Sequence, residues 1–284
     1  MTMHAVLAAA ATLVSLAFAL CTLDRYLARR RRHELVWTIS LFLFAAGSLA
    51  LWAAAALGWS EWTFKAFYLF GAILNVPFLA LGTVYLLAKD PRTGDRATAV
   101  VSLLAAFATG IVVAAPLVNP IAADVFPRGS EVFGFWPRFL AAVGSGVAAT
   151  VIVVGALLSA WRLGRAALAA RRSEGAVTPI VRGGLSPARL ALANVIIATG
   201  TLILSAGGVS NSVLDAMDAF TVSLVVGISV IFAGFLLTNT PAPVPEWRWQ
   251  PSDRPTELPT ERPTERFSTT ARSVAGPDAV ETGS

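Results

Sequence analysis

Few side chains in this sequence could do chemistry, and most of those sit in or beside apolar stretches. Lys65, Tyr68, Asn75 and Pro77 fall in the stretch WSEWTFKAFYLFGAILNVPFLALGTVYLLA, from Trp59 to Ala88, and Asp215 and Asp218 lie far along the chain. A lysine with two carboxylates offers an ion pair, and an amide two residues before a proline offers a polar centre in a broken helix. The remaining reactive types are scarce. His4, His33 and Cys21 are the only histidines and the only cysteine. Metal sites of the Cys/His kind need several clustered ligands, and one thiol forms no internal disulfide. HExxH, GxSxG and phosphate-loop patterns are absent. The expectation is therefore no metal, no cofactor and no enzyme activity.

The elements that position these residues follow from composition. Of 284 residues, 56% are apolar and only 14% charged. Soluble domains carry about 25% charged residues, so this chain has too few charges to cover a surface in water. A membrane-spanning helix needs about 20 mostly apolar residues. Seven runs qualify, at 4–23, 35–57, 62–88, 97–118, 138–161, 187–208 and 218–238. Backbone groups in lipid must be paired within the segment, and the runs lack the ten-residue alternation of barrel strands. The predicted fold is all-α: a polytopic bundle of seven transmembrane helices over residues 1–240, multi-pass in the cell membrane. No positive charge precedes the first run, so it reads as a retained helix rather than a cleaved signal.

Orientation follows from the basic residues. Arg25, Arg29, Arg30, Arg31 and Arg32 lie between helices 1 and 2, and Lys89, Arg92 and Arg96 between helices 3 and 4. Arg162, Arg165, Arg171, Arg172, Arg182 and Arg189 lie between helices 5 and 6, whereas the opposite side holds only Lys65, Arg128 and Arg138. This asymmetry puts the arginine-rich loops and the C-terminus in the cytoplasm and the N-terminus outside. The net charge of +5 then implies anionic lipid headgroups as partners besides the bilayer itself. The basic loops lack interleaved aromatics, which argues against nucleic acid. Trp59, Trp62, Phe133, Phe135 and Trp136 are expected to anchor the outer interface.

At 100° per residue Lys65, Tyr68, Ala72, Asn75, Gly82 and Thr83 share one face of helix 3, small or polar enough to point into the bundle. Asn75 lies about 20 Å from either helix end at 1.5 Å per residue, near mid-depth, and Pro77 predicts a kink. That kink reads either as an interhelical hydrogen bond or as a substrate site shared with Tyr68 and Ser205. Lys65 reads either as a snorkelling cation with Asp215 and Asp218 in water, or as a Lys65–Asp218 pair tying helix 3 to helix 7. Glycines in helices 5 to 7 predict close packing. The strings Gly47-Ser48-Leu49-Ala50-Leu51 and Gly200-Thr201-Leu202-Ile203-Leu204 hint at a parallel repeat of helices 1–3 and 5–7. Helix 7 has no lysine, which sets aside a retinal Schiff base.

Residues 241–284 are rich in Pro, Thr, Glu and Arg, with Pro-Thr-Glu starting at Pro255, Pro259 and Pro263. That composition predicts a disordered cytoplasmic tail able to meet a protein partner. The Trp59–Ala88 stretch, and the helix 6 string ANVIIATGTLILSAGG from Ala193 to Gly208, resemble uncharacterised seven-helix membrane proteins of actinobacteria. The resemblance implies the seven-helix fold and carries over no functional residue. The functional expectation is a sensor-like or scaffold bundle, with a small-solute transporter or channel as the alternative.

Overall fold

The computed structural model describes residues 3–88, 90–123, 125–172, 187–214 and 217–238. The tail at 241–284 and Asp215 lie outside these residues. Every regular element among the described residues is helical. Seven helices are long and apolar enough to cross a membrane: α1 (Met3–Arg29), α2 (Arg32–Leu57), α3 (Glu61–Leu87), α4 (Pro91–Ala114), α5 (Phe135–Arg172), α6 (Pro187–Leu214) and α7 (Met217–Leu237). The chain is thus an all-α, multi-pass membrane protein, as its hydropathy predicts. α5 runs well past the expected end at 161.

Local sequence explains the ends. Ser60 caps α3 reciprocally, its Oγ accepting from the Thr63 N–H while the Thr63 Oγ1 accepts from the Ser60 N–H at 2.9 Å. Asp90 caps α4 by accepting from the Arg92 N–H at 3.0 Å, with Pro91 at the first helical position. Gly58, at φ +97°, ends α2 in a conformation that disfavours other residues. Pro137 falls within the first turn of α5, where its missing N–H leaves no acceptor unpaired.

Each helix packs chiefly on a chain neighbour. α1 lies on α2, α2 on α3, α3 on α5, α5 on α6, α6 on α7, and α7 returns to α1. α4 touches α3 and α5 from outside this ring. Only 11% of its apolar window is buried, against 28–44% in the other six. Small residues set the closest crossings. A Cβ on Gly47 would meet the Gly71 backbone nitrogen at 2.8 Å, and one on Gly200 would meet the Gly227 carbonyl oxygen at 2.8 Å. The two similar strings in α2 and α6 therefore occupy matching tight crossings, α2 on α3 and α6 on α7. Gly207 and Gly234 serve the α6–α7 contact as expected, whereas Gly146 faces open space.

Candidate functional site: three polar knots in an apolar bundle

The middle of α3 is not regular α-helix. Tyr68–Leu74 is a π-helix, after which Asn75–Leu87 resumes the α form. The Asn75 N–H donates to the Phe70 carbonyl, five residues back. The expected break at Pro77 is thus accommodated by a π stretch just before it, a feature common at functional sites. Pro77 has no N–H to give, which leaves the carbonyls of Ile73 (four residues back) and Ala72 (five residues back) at the junction of the α and π registers. The Ser145 hydroxyl of α5 donates to the Ala72 carbonyl instead. The Ser40 hydroxyl of α2 donates to the Asn75 carbonyl at 2.7 Å, and Trp37 Nε1 donates to the Leu79 carbonyl at 3.2 Å. The Ser145 contact thus falls on a carbonyl beside the break, and the other two tie α2 to α3 just beyond it. The Asn75 side chain differs: its Oδ1 is buried and has no hydrogen-bond partner among the described residues.

The predicted polar face is largely inward, with Lys65, Asn75 and Gly82 buried and Tyr68, Ala72 and Thr83 half-buried. It does not form one site. Tyr68 joins an aromatic cluster at the N-terminal end of α3, 5.0 Å from the Phe133 ring centroid and 5.8 Å from that of Phe64. Trp59 and Phe133 belong to the same cluster and are buried, so they pack the core rather than anchor an interface. Trp62, Phe135 and Trp136 remain exposed. Ser205 lines an open groove of about 260 Å³ between α5 and α6, with Ala149, Thr150 and Leu202.

The charges at this end follow neither of the expected alternatives. Lys65 is buried, with its Nζ 2.7 Å from Glu61 Oε1, and it donates to the Val113 carbonyl at 3.0 Å. It therefore ties α3 to the C-terminal end of α4 and neither snorkels nor meets Asp218. A carbonyl at hydrogen-bond distance and a carboxylate one turn earlier are both nearer than α7. Asp218 instead meets His4 Nε2 of α1 at 2.7 Å.

A third knot, at the arginine-rich end, escapes the sequence reading. Glu34 is fully buried, and its Oε1 lies 3.4 Å from Arg25 Nε. Neither Glu34 oxygen, nor Arg25 Nε, has a hydrogen-bond partner among the described residues. The Arg25 guanidinium sits 4.6 Å from the Phe235 ring centroid, and its Nη1 donates to Thr238 Oγ1 at 3.1 Å. The Thr38 hydroxyl donates to Thr22 Oγ1 at 3.1 Å. Thr22 opposite Thr38, and Arg25 opposite Glu34, are successive rungs of the antiparallel α1–α2 hairpin. Counted by type, Arg25 and Glu34 pass for loop charges. The two-residue connection at Arg30 and Arg31 is the signal that would have placed them face to face. Beside this knot, Arg32 pairs with Asp95 at 2.6 Å, joining α2 to α4.

No group of three or more His, Cys, Asp or Glu side chains placed to hold a metal ion occurs among the described residues. No family model, curated protein or solved structure matches the chain.

Proposed function

We propose that this chain is a non-enzymatic, sensor-like or scaffold bundle of the cell membrane, with its N-terminus outside and its arginine-bearing end and tail in the cytoplasm. The observation that carries the reading is how the interior polar groups are used. Lys65 with Val113, Arg25 with Glu34 and Thr238, Ser40 with Asn75, and Ser145 with Ala72 each join one helix to another. Groups spent on tying helices are not free to turn over a substrate, and a tied bundle transmits displacement between its ends. The inner knot reaches Thr238, next to the start of the tail. The resemblance to seven-helix proteins of actinobacteria agrees with a bacterial membrane home.

The test is proximity labelling from native membranes with the full chain and with a chain ending at residue 240. The reading expects a reproducible set of cytoplasmic neighbours that depends on residues 241–284. An identical set from both chains would count against it.

A second reading has one specific observation behind it. The unpartnered Asn75 Oδ1 beside a π-helix is the arrangement expected of a mid-membrane solute site. On that reading the chain is a small transporter or channel, and substitution of Asn75 abolishes flux.

A further inference from the structure

The connection between α1 and α2 is two residues long, and four arginines occupy it and its borders. Arg29, Arg30, Arg31 and Arg32 are all exposed. Arg32 is engaged by Asp95. No carboxylate pairs with Arg29, Arg30 or Arg31 among the described residues, although exposed Asp24 lies five residues before Arg29 on α1. The acid nearest in sequence on the α2 side, Glu34, is turned inward against Arg25.

Two details set this turn apart from an ordinary basic loop. Arg30 has φ +52°, the only positive φ on a residue other than glycine among the described residues. It closes α1 with its N–H on the Tyr26 carbonyl at 2.6 Å, the position where helices usually place glycine or asparagine. An arginine here gives up backbone ease and gains a cation. In addition, the N-cap of α2 is Arg31, whose side chain makes no capping hydrogen bond. A guanidinium has no acceptor, so it cannot cap. In the first turn of this 26-residue helix the Glu34 N–H turns back onto the Arg31 carbonyl at 3.1 Å, which leaves the Arg32 and His33 N–H groups for an external acceptor, beside Arg29, Arg31 and Arg30, whose guanidinium lies 5.8 Å from the Tyr26 ring centroid.

Depth identifies the occupant. Exposed Leu27 precedes Arg29 by two residues, about 3 Å along the helix axis. The arginines therefore emerge at the boundary between hydrocarbon and headgroups. We propose that the Arg29–Arg30–Arg31 turn, with the open first turn of α2, binds the phosphate of an anionic phospholipid headgroup. Planar guanidinium forks match phosphate oxygens in pairs, and lysine does not reproduce this. The site deepens the reading above, which places this end at the cytoplasmic leaflet.

The experiment uses the full chain purified in neutral detergent. Phosphatidylglycerol, phosphatidylcholine and inorganic phosphate are added separately, and bound lipid is read by native mass spectrometry. Phosphatidylglycerol should be retained in preference to phosphatidylcholine. The triple variant Arg29→Lys, Arg30→Lys, Arg31→Lys keeps the charge that sets orientation, and should bind phosphatidylglycerol about fivefold more weakly. Arg30→Gly suits the positive φ, so it should unfold at the same temperature or higher while binding less lipid. Wild-type retention by both variants would overturn the site. So would displacement of the lipid by equimolar inorganic phosphate, which would mark a soluble-anion site. Protease access to the tail in sealed vesicles tests orientation separately. A tail found outside, with lipid retention still dependent on these arginines, would remove the orientation and leave the site standing.

Discussion

Glu34 and Arg25 face each other across the α1–α2 hairpin, 3.4 Å apart from Oε1 to Nε, with the carboxylate wholly out of contact with solvent. Breaking a buried pair by removing one partner is destabilising because the other charge stays buried. Glu34→Met should cost about 3 kcal/mol and Arg25→Met a comparable amount. The double variant should recover much of the loss, since two apolar side chains fill the space without desolvated charge. Thermal unfolding in detergent decides this: losses that simply add would show that the pair is not coupled.

Lys65 gives a sharper contrast, because the structure pairs it with Glu61 and the Val113 carbonyl, where the sequence leaves open a snorkelling cation or an Asp218 pair. Lys65→Met should lower stability by about 1.5 kcal/mol, through loss of a charged donor to the Val113 carbonyl. Combined with Glu61→Gln, the loss should fall short of the sum, because the two residues share one contact. Combined with Asp218→Asn it should be additive. A coupling of Lys65 to Asp218 instead of Glu61 would reject the observed pairing.

The Ser145 hydroxyl on the Ala72 carbonyl, five residues before Pro77, makes a testable pair. Ser145→Ala should cost about 0.6 kcal/mol or somewhat more, the range found for interhelical hydrogen bonds in membranes. In a Pro77→Ala background, where a backbone N–H is again available, the same change should cost less. Equal losses in the two backgrounds would mean that Ser145 does not stand in for the missing amide.

Gly47 and Gly71 face each other, but not equally. A Cβ on Gly47 falls on backbone at 2.8 Å, whereas one on Gly71 has its nearest neighbour at 3.8 Å. Gly47→Ala should destabilise by about 1–3 kcal/mol and Gly71→Ala should be nearly neutral. Similar unfolding temperatures for the two variants would remove this crossing as a constraint on the α2–α3 contact.

Particular residues show why some of this was legible beforehand. The seven helices are written in long apolar runs, because a bilayer leaves no other way to satisfy the backbone. Pro77 announces a disturbance in α3 by its chemistry alone. The π stretch that absorbs it is not announced, since Tyr68–Leu74 reads as an ordinary apolar segment. The extra residue shifts everything after it by about 100° relative to a regular helix, and so Tyr68 and Asn75 part company. Arg25 and Glu34 were hidden by a different cause. Charges near a helix end look solvated until the partner helix is known to return within two residues. For Lys65 the sequence offers a snorkelling cation or a pair with Asp218, and it misses the observed contact because spacing gives no account of backbone carbonyls such as that of Val113.

The central claim is that the interior polar groups hold the bundle together and do not move a solute. Its most direct test is flux in proteoliposomes that hold the full chain, across a broad panel of ions and small solutes. The account predicts flux equal to that of empty vesicles, with Asn75→Leu unchanged from the native chain. Flux above that of empty vesicles that Asn75→Leu abolishes would contradict it and make the π-helix of α3 the centre of a transport site.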